Sequence, residues 1–486
     1  MSTEQLSTWA NLHSILISDS VQVKATEHAG LGLFYNCSSE KAPERLLEVP
    51  RTILLTASNV RTLALSQKDT LLPLLESERL LAAREVVVRF FTLVLHKFGE
   101  ETRVPQSFYG PYLALLPDPW TAGSKAGVPP MFWDEERCAR AIGTSLYAPL
   151  RAKQRKLRAE FEELSQRWQA VFVHETETLA YEEYIRADWL VSSRVIELPS
   201  DGVEWELAVV PILDFANHGS QPNARYENTD DSVELVCAES EVSGSDYRDG
   251  AEIVISYGPD KGSSELLFTY GFLLTPAEYS GEEHVKMPVS SGGSALQYIY
   301  GRVPLVEIHV DAEGSISWEC EYLWLLCVGP DDGFEVSVSV THDSSEEIDA
   351  TVAGETLVGV RGNEVATAIR SRLAVGKMAA VLMLRRVLLL EQLTTGWLDA
   401  LGESEWDYSE TPEDEPIATL RQREERVFTL LLDELEERKQ HLAETPDVLD
   451  FLAQQQQPPE EKSMGAEESG VTGNEGEDNE GEDELR

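Results

Sequence analysis

Strand texture occurs twice in this chain, on either side of a long helical stretch, and helices return afterwards. That order points to a mixed α+β architecture. From Val21 to about Thr56 the runs are short and β-rich (VQVKA, GLGLFY, RLLEVPRTILLT), with turn residues between them. Leu81–Gly99 then carries apolar residues on a broad helical face and ends at a glycine suited to a C-cap. After a Pro-, Tyr- and Trp-rich loop (FYGPYLALLPDPW), Arg151–Val173 and Glu175–Arg194 read as two charge-laced helices. Strands resume in WELAVVPILDFANH, SVELVCAE and EIVISYG. At the start, residues 1–20 space Leu6, Trp9, Leu12, Ile15 and Leu16 as a short helix would.

Past about residue 285 the texture suggests a second domain. A β-rich connector covers Leu305–Ser339 and a polar loop follows. Two long helices are then expected, Glu364–Thr394 and Ile417–Glu444, the second with opposite charges at helical spacing. Residues 454–486 have almost no apolar side chains and cannot offset ordering entropy, so they are expected to be a disordered acidic tail. No internal repeat is found.

The chain has 486 residues, which suggests roughly two or three domains. A hydrophobic share of 42% supplies enough apolar material for packed cores. With 40 Lys and Arg against 86 Asp and Glu, the formal charge is −46. Such a balance argues against binding nucleic acid through phosphate contacts, and it favours basic, Lys-rich protein partners. The segment 454–486 holds eleven acids and two bases, a contribution of −9 that leaves −37 on the rest. Five scattered cysteines (Cys37, Cys138, Cys237, Cys320, Cys327) form no CxxC pair, a pattern expected of a reduced, intracellular protein. The most apolar run, Met378–Leu390, is interrupted by Arg385 and Arg386, so no membrane span is expected. The opening MSTEQLSTWANLHS lacks both an apolar signal core and an Arg-rich transit character. Cytosol or nucleus is the expected location.

Single motifs say little. Gly30-Leu31-Gly32 is a GxG turn that lets a ligand approach the backbone, although most such triplets are simply tight turns. A Rossmann reading fails because no third glycine opens a helix. Gly258 to Ser263 lacks the GxxxxGK[ST] order of a phosphate loop, and neither GxSxG nor HExxH occurs. Asp214, Asn217 and His218 gather at the end of the strand PILDFA, which alone could be a capped turn. Tyr257 closes the strand EIVISYG, and Tyr270 precedes Gly271-Phe272; tyrosines so placed are commonly packing residues.

Taken in order, these segments resemble the SET-domain protein methyltransferases, specifically the class typified by the Rubisco large-subunit lysine methyltransferase. The matching pieces are HAGLGLF, LEVPRTILLT, FYGPYLALLP, LVSSRVI, PILDFANHGSQPNARYE and GAEIVISYGPDKGSSELLFTYGFLL, from about Val21 to Leu274. The resemblance implies a SET domain over 21–280, built of small β-sheets with knot-like threading and carrying a helical insertion at about 63–187. It also implies a mainly α-helical substrate-binding domain over 285–450. Main-chain groups at Ala29, Gly30 and Leu31 would hold S-adenosylmethionine, and Arg194 would reach its carboxylate, a partner suited to a bidentate guanidinium. Asp214, Asn217 and His218 would complete the cofactor site. Tyr257 matches the catalytic tyrosine, and Tyr270 would line the channel for the substrate side chain. No metal is implied.

Two departures stand out. Ser263-Ser264-Glu265 replaces the Asn-Ala-Glu often found in the class, and SEVSGSDYRDG lengthens the connection before EIVISYG. The implied activity is methylation of lysine on a non-histone protein, with a ribosomal protein or translation factor as a natural basic substrate and the enzyme a monomer. Alternatives are histidine methylation and an inactive SET-fold binding module. Val195 and Ile196, which offer no amide to an imidazole, favour lysine.

Overall fold

A computed structural model describes residues 3–26, 30–36, 45–97, 109–119, 128–173, 178–200, 203–238, 249–340, 346–402 and 415–455. The early and late strands of the first half interleave into three small sheets. One has the order Leu16–Ile17, Arg45–Pro50, Ser232–Cys237, Ala224–Asn228. A second runs Val21–Ala25, Leu31–Tyr35, Glu252–Ile255, Asn217–His218, and a third Leu55–Thr56, Val203–Val209, Val195–Ser200. Each of the first two pairs chain from before the helical stretch with chain from after it. In the second, Val23, Leu33, Tyr35 and Ile253 bury one face, as alternation requires.

Among the described strands, one pairing is parallel: Asn217 lies opposite Val254 and His218 opposite Ile255. A parallel pair needs a crossover rather than a hairpin, and the Ser232–Cys237 strand lies within the connection between the two. The sheet packs closely at Gly32, where a Cβ would stand 2.8 Å from the Glu252 carboxylate and 2.7 Å from Thr26 Cγ2.

The helices between these strands do not form a separate body. Val86, Phe90 and Phe91 from Ala83–Lys97, Leu157 and Trp168 from Tyr147–Val171, and Leu190 from Tyr181–Ser192 share one core with Leu33, Val49, Val209 and Leu213. Buried arginines in this block are paired: Arg89 donates to Glu85 at 2.8 Å, to Glu163 at 3.0 Å and to the Leu74 carbonyl at 2.8 Å. Such pairing is what makes a buried guanidinium tolerable.

The second half has its own core, and its helices are accompanied by more strand than the expected connector over Leu305–Ser339. Two three-stranded sheets come first, Glu283–Pro288 with Leu305–Val310 and Ile316–Glu319, then Phe334–Val340 with Glu346–Val352 and Glu355–Leu357. The expected helix Glu364–Thr394 is two helices, Asn363–Arg372 and Lys377–Gly402. They separate at Gly376, whose φ of 54° does not continue a right-handed helix. The expected helix over 1–20 ends at Leu12. Ser14 takes φ 58°, and Leu16–Ile17 pairs with Leu47–Glu48 instead. The last long helix is Glu415–Ala443. It meets the first half through a third apolar cluster that joins Trp133, Leu146 and Leu150 to Leu267, Ile417 and Leu420. Most of the expected tail, from residue 456 onward, lies outside the described residues, as does Cys37. Among the described residues, no helix is long and apolar enough to cross a membrane.

Candidate active site

The site forms where the parallel strand pair ends. Upstream of Asn217 the chain makes a sharp turn at Ile212, whose φ of 72° is a left-handed conformation that a β-branched residue rarely adopts. Complete burial of its side chain holds it there, and a backbone so placed stores on the order of 1–3 kcal/mol. The turn directs Asp214 into the protein. Its carboxylate accepts a hydrogen bond from the Tyr112 hydroxyl at 2.6 Å and lies 3.2 Å from Arg194 Nε. Burial pushes the Asp214 carboxyl up to about 6, against the opposing pull of Arg194 and Tyr112. Tyr112 is itself fixed by a stacked contact with Trp9, ring centres 5.9 Å apart.

Asn217 ties two strands together, donating through Nδ2 to Glu252 Oε1 at 2.7 Å and to the Leu31 carbonyl at 3.4 Å. Leu31 follows Gly30, which turns with φ 81°. Gly30, Leu31 and Asn217 therefore converge on one edge, while Ala29 lies outside the described residues. Arg194 sits at the end of the Tyr181–Ser192 helix, donates to Ser193 Oγ at 2.7 Å and leans over the Trp189 ring at 5.7 Å.

Beside this edge, four rings close a circuit. Tyr257 and Tyr270 lie 4.4 Å apart between ring centres, His218 is 5.4 Å from Tyr257, and Phe272 is 6.0 Å from both Tyr270 and His218. Their separations fall in the range of favourable aromatic contact. Tyr257 donates its hydroxyl to the Ala216 carbonyl at 3.2 Å, and its amide donates to His218 Nδ1 at 3.2 Å. Burial raises the Tyr257 phenol well above its ordinary value and brings Tyr270 up to about 12, helped by Glu265. Both phenols are thus neutral hydrogen-bonding groups at physiological pH. Burial also lowers the His218 imidazole, with Glu278 opposing. Gly271, at φ 86°, ends the Ser263–Tyr270 helix and swings Phe272 to the ring circuit.

Eight of the nine expected site residues can thus be placed, and they fall into two adjoining groups: Gly30, Leu31, Arg194, Asp214 and Asn217, then His218, Tyr257 and Tyr270. Tyr112, Glu252 and Phe272 belong with them but were not singled out from the sequence. Phe272 follows directly on the YG pair, Tyr112 lies in FYGPYLALLP and Glu252 lies in GAEIVISYG, so all three stood in segments already singled out.

This arrangement of small interleaved sheets has the SET-domain fold, as its likeness to solved Rubisco LSMT structures shows. Solved structures with this fold include Rubisco LSMT bound to AdoMet (TM-score 0.58, 15% identity, 91% of this chain and 93% of that one). Another is the SET domain of LSMT bound to lysine and AdoHcy (TM-score 0.59, 14% identity, 93% and 98%). In sequence, the chain is 25% identical over 231 residues to SET domain-containing protein 8 of Schizosaccharomyces pombe, which spans 46% of this chain and 51% of that protein. It is 30% identical over 160 residues to the protein-lysine N-methyltransferase EFM1 of Saccharomyces cerevisiae, 32% of this chain and 24% of that protein. The chain thus spans about half the length of the first relative and about a quarter of the second. No family model matches it.

Proposed function

We propose that this chain is an S-adenosylmethionine-dependent protein-lysine N-methyltransferase acting on a non-histone protein. The observation that carries the reading is the closed circuit of Tyr257, Tyr270, Phe272 and His218 beside the edge formed by Gly30, Leu31 and Asn217.

The cofactor fits the donor set on that edge. Arg194 offers a guanidinium to a carboxylate, and the buried Asp214 oxygen Oδ1 has no hydrogen-bond partner among the described residues. The Gly30 turn leaves main chain approachable: among the described residues other than its chain neighbours, the nearest atom to where its Cβ would stand is Pro117 Cβ at 3.9 Å. Residues Gly30, Leu31, Arg194, Asp214, Asn217 and His218 would hold it, and when bound it supplies an electrophilic methyl group on a sulfonium.

The chain's own residues then have three tasks. A lysine side chain normally titrates near 10.4; enclosed by Tyr257, Tyr270 and Phe272 it loses hydration, which favours the neutral amine. The rings also restrict the amine to a narrow approach, converting orientation into rate. Tyr257, held by its hydrogen bond to Ala216, keeps a hydroxyl oxygen available for weak CH···O contacts. Val195 and Ile196 lead away from Arg194 without an amide or carboxylate to orient an imidazole, which favours lysine over histidine.

The charge of −46 supports a basic protein as the partner, with residues 285–450 as its docking unit and the cytosol or nucleus as the place of action. The test is incubation of the purified chain with methyl-labelled S-adenosylmethionine and proteins from cells lacking it, followed by mapping of the modified residue. Label on lysine is the expected result; label on histidine, or none, contradicts the reading.

A further inference from the structure

The longest C-terminal helix, Glu415–Ala443, sends a buried arginine into the first domain. Arg423 donates through Nη1 to Ser263 Oγ at 2.8 Å and through Nη2 to the Leu274 carbonyl at 2.7 Å. Ser263 passes the interaction on: its hydroxyl donates to Glu283 Oε2 at 2.6 Å, and its amide donates to Glu283 Oε1 at 2.6 Å. The guanidinium lies over the Tyr279 ring at 3.8 Å. Arg423, Ser263 and Glu283 are all buried, so each donor and acceptor in the chain of contacts depends on the next.

The two anchor points bracket one segment. Ser263 begins the helix that ends at Tyr270, and Leu274 stands two residues beyond Phe272. Both rings that this segment contributes to the aromatic circuit therefore lie between the two ends gripped by a single side chain. The cofactor edge takes no residue from this segment.

We infer that Arg423, acting through Ser263 and the Leu274 carbonyl, is a positioning residue for the substrate channel, and that the C-terminal domain thereby sets the placement of Tyr270 and Phe272. The inference rests on the methyltransferase reading for its functional consequence. Serine at position 263 is the short hydroxyl that lets one group accept from Arg423 while donating to Glu283.

The test uses the full chain. Arg423→Met is expected to speed amide exchange across 266–274 by about tenfold or more and to lower label transfer about tenfold. Exchange over 30–36 and 213–219 should stay unchanged, with S-adenosylmethionine affinity within about twofold. Arg423→Lys, which can meet one partner but not both, should recover part of the rate. Ser263→Ala should shift both readouts in the same direction by less, and it guards against an Arg423 variant that fails to fold. Arg421→Met is the control: this buried arginine of the same helix serves the Arg140, Ile142 and Leu401 carbonyls, so it should lower the melting temperature without loosening 266–274.

Wild-type exchange and transfer in Arg423→Met and Ser263→Ala would overturn the inference, as would an Arg421→Met protein that behaves like Arg423→Met. Wild-type protein that transfers no label overturns the methyltransferase reading itself, an outcome distinct from an active enzyme indifferent to Arg423.

Discussion

Tyr257 and Tyr270 lie against each other with ring centres 4.4 Å apart and planes inclined by 34°, although one stands two residues past the strand Glu252–Ile255 and the other ends a helix. The two rings are in direct contact and brace one another. Removing either ring should therefore have a different consequence from removing the hydroxyl of one of them.

Tyr270→Ala deletes the ring that touches both Tyr257 and Phe272 and leaves the Gly30, Leu31 and Asn217 edge untouched. Steady-state kinetics on the modified protein substrate should show KM rising and kcat falling, together costing about 2–3 kcal/mol in kcat/KM. Calorimetry should show cofactor affinity unchanged.

Asn217→Ala removes the side chain that joins Glu252 to the Leu31 carbonyl. Loss of two hydrogen bonds, one to a carboxylate, should weaken cofactor binding by about 1–3 kcal/mol. Calorimetry checks this directly. A wild-type dissociation constant would mean that Asn217 does not organise the cofactor edge.

Asp214 makes the site sensitive to acid. Its carboxyl titrates near 6 in the folded chain against 3.8 for the free group. The folded state then holds more protons than the unfolded state between those values, so raising the pH across that window lowers stability, by up to about 1.4 kcal/mol per pH unit. Above about pH 6 the contribution is constant. Cofactor binding should run the other way, since protonation below pH 6 removes the negative partner of Arg194. Asp214→Asn should flatten both profiles, measured by thermal melts and by calorimetry from pH 5 to 8.

Salt should act on substrate rather than on chemistry. A chain with formal charge −46 attracts a basic protein over distances that salt screens. KM for that protein should rise between 50 and 500 mM NaCl while kcat stays near constant. A flat KM would assign the acidity to solubility alone.

Much of the site was legible because its groups sit at strand ends in short strings. Asn217 and His218 form the short strand after PILDFA, which is a turn and 3-10 helix (Leu213–Phe215) rather than the expected strand, and Tyr257 stands two residues past the strand Glu252–Ile255. Tyr112 was not assigned, since its partner Asp214 lies 102 residues away. Arg423 was hidden in the same way, 160 residues from Ser263 and within a helix whose charges read in sequence as opposite-charge pairs, although Arg421 and Glu424 are buried as well. The two sheets between Glu283 and Leu357 were blurred into a connector because their strands are short, three to seven residues each, and their pairing becomes visible only in three dimensions. The helix break near Gly376 lost to the apolar periodicity on either side. Local pattern marks where a residue stands in an element; it does not say which distant residue it will meet.

The most direct test of the central claim is methyl transfer by the wild type and by Tyr257→Phe, which keeps the ring and removes only the hydroxyl. Both proteins are incubated with labelled S-adenosylmethionine and proteins from cells lacking the enzyme. The account predicts lysine-bound label with the wild type, and a rate lower by roughly 10²-fold in the variant at unchanged cofactor affinity. Equal transfer by the two proteins, or none by the wild type, would contradict it.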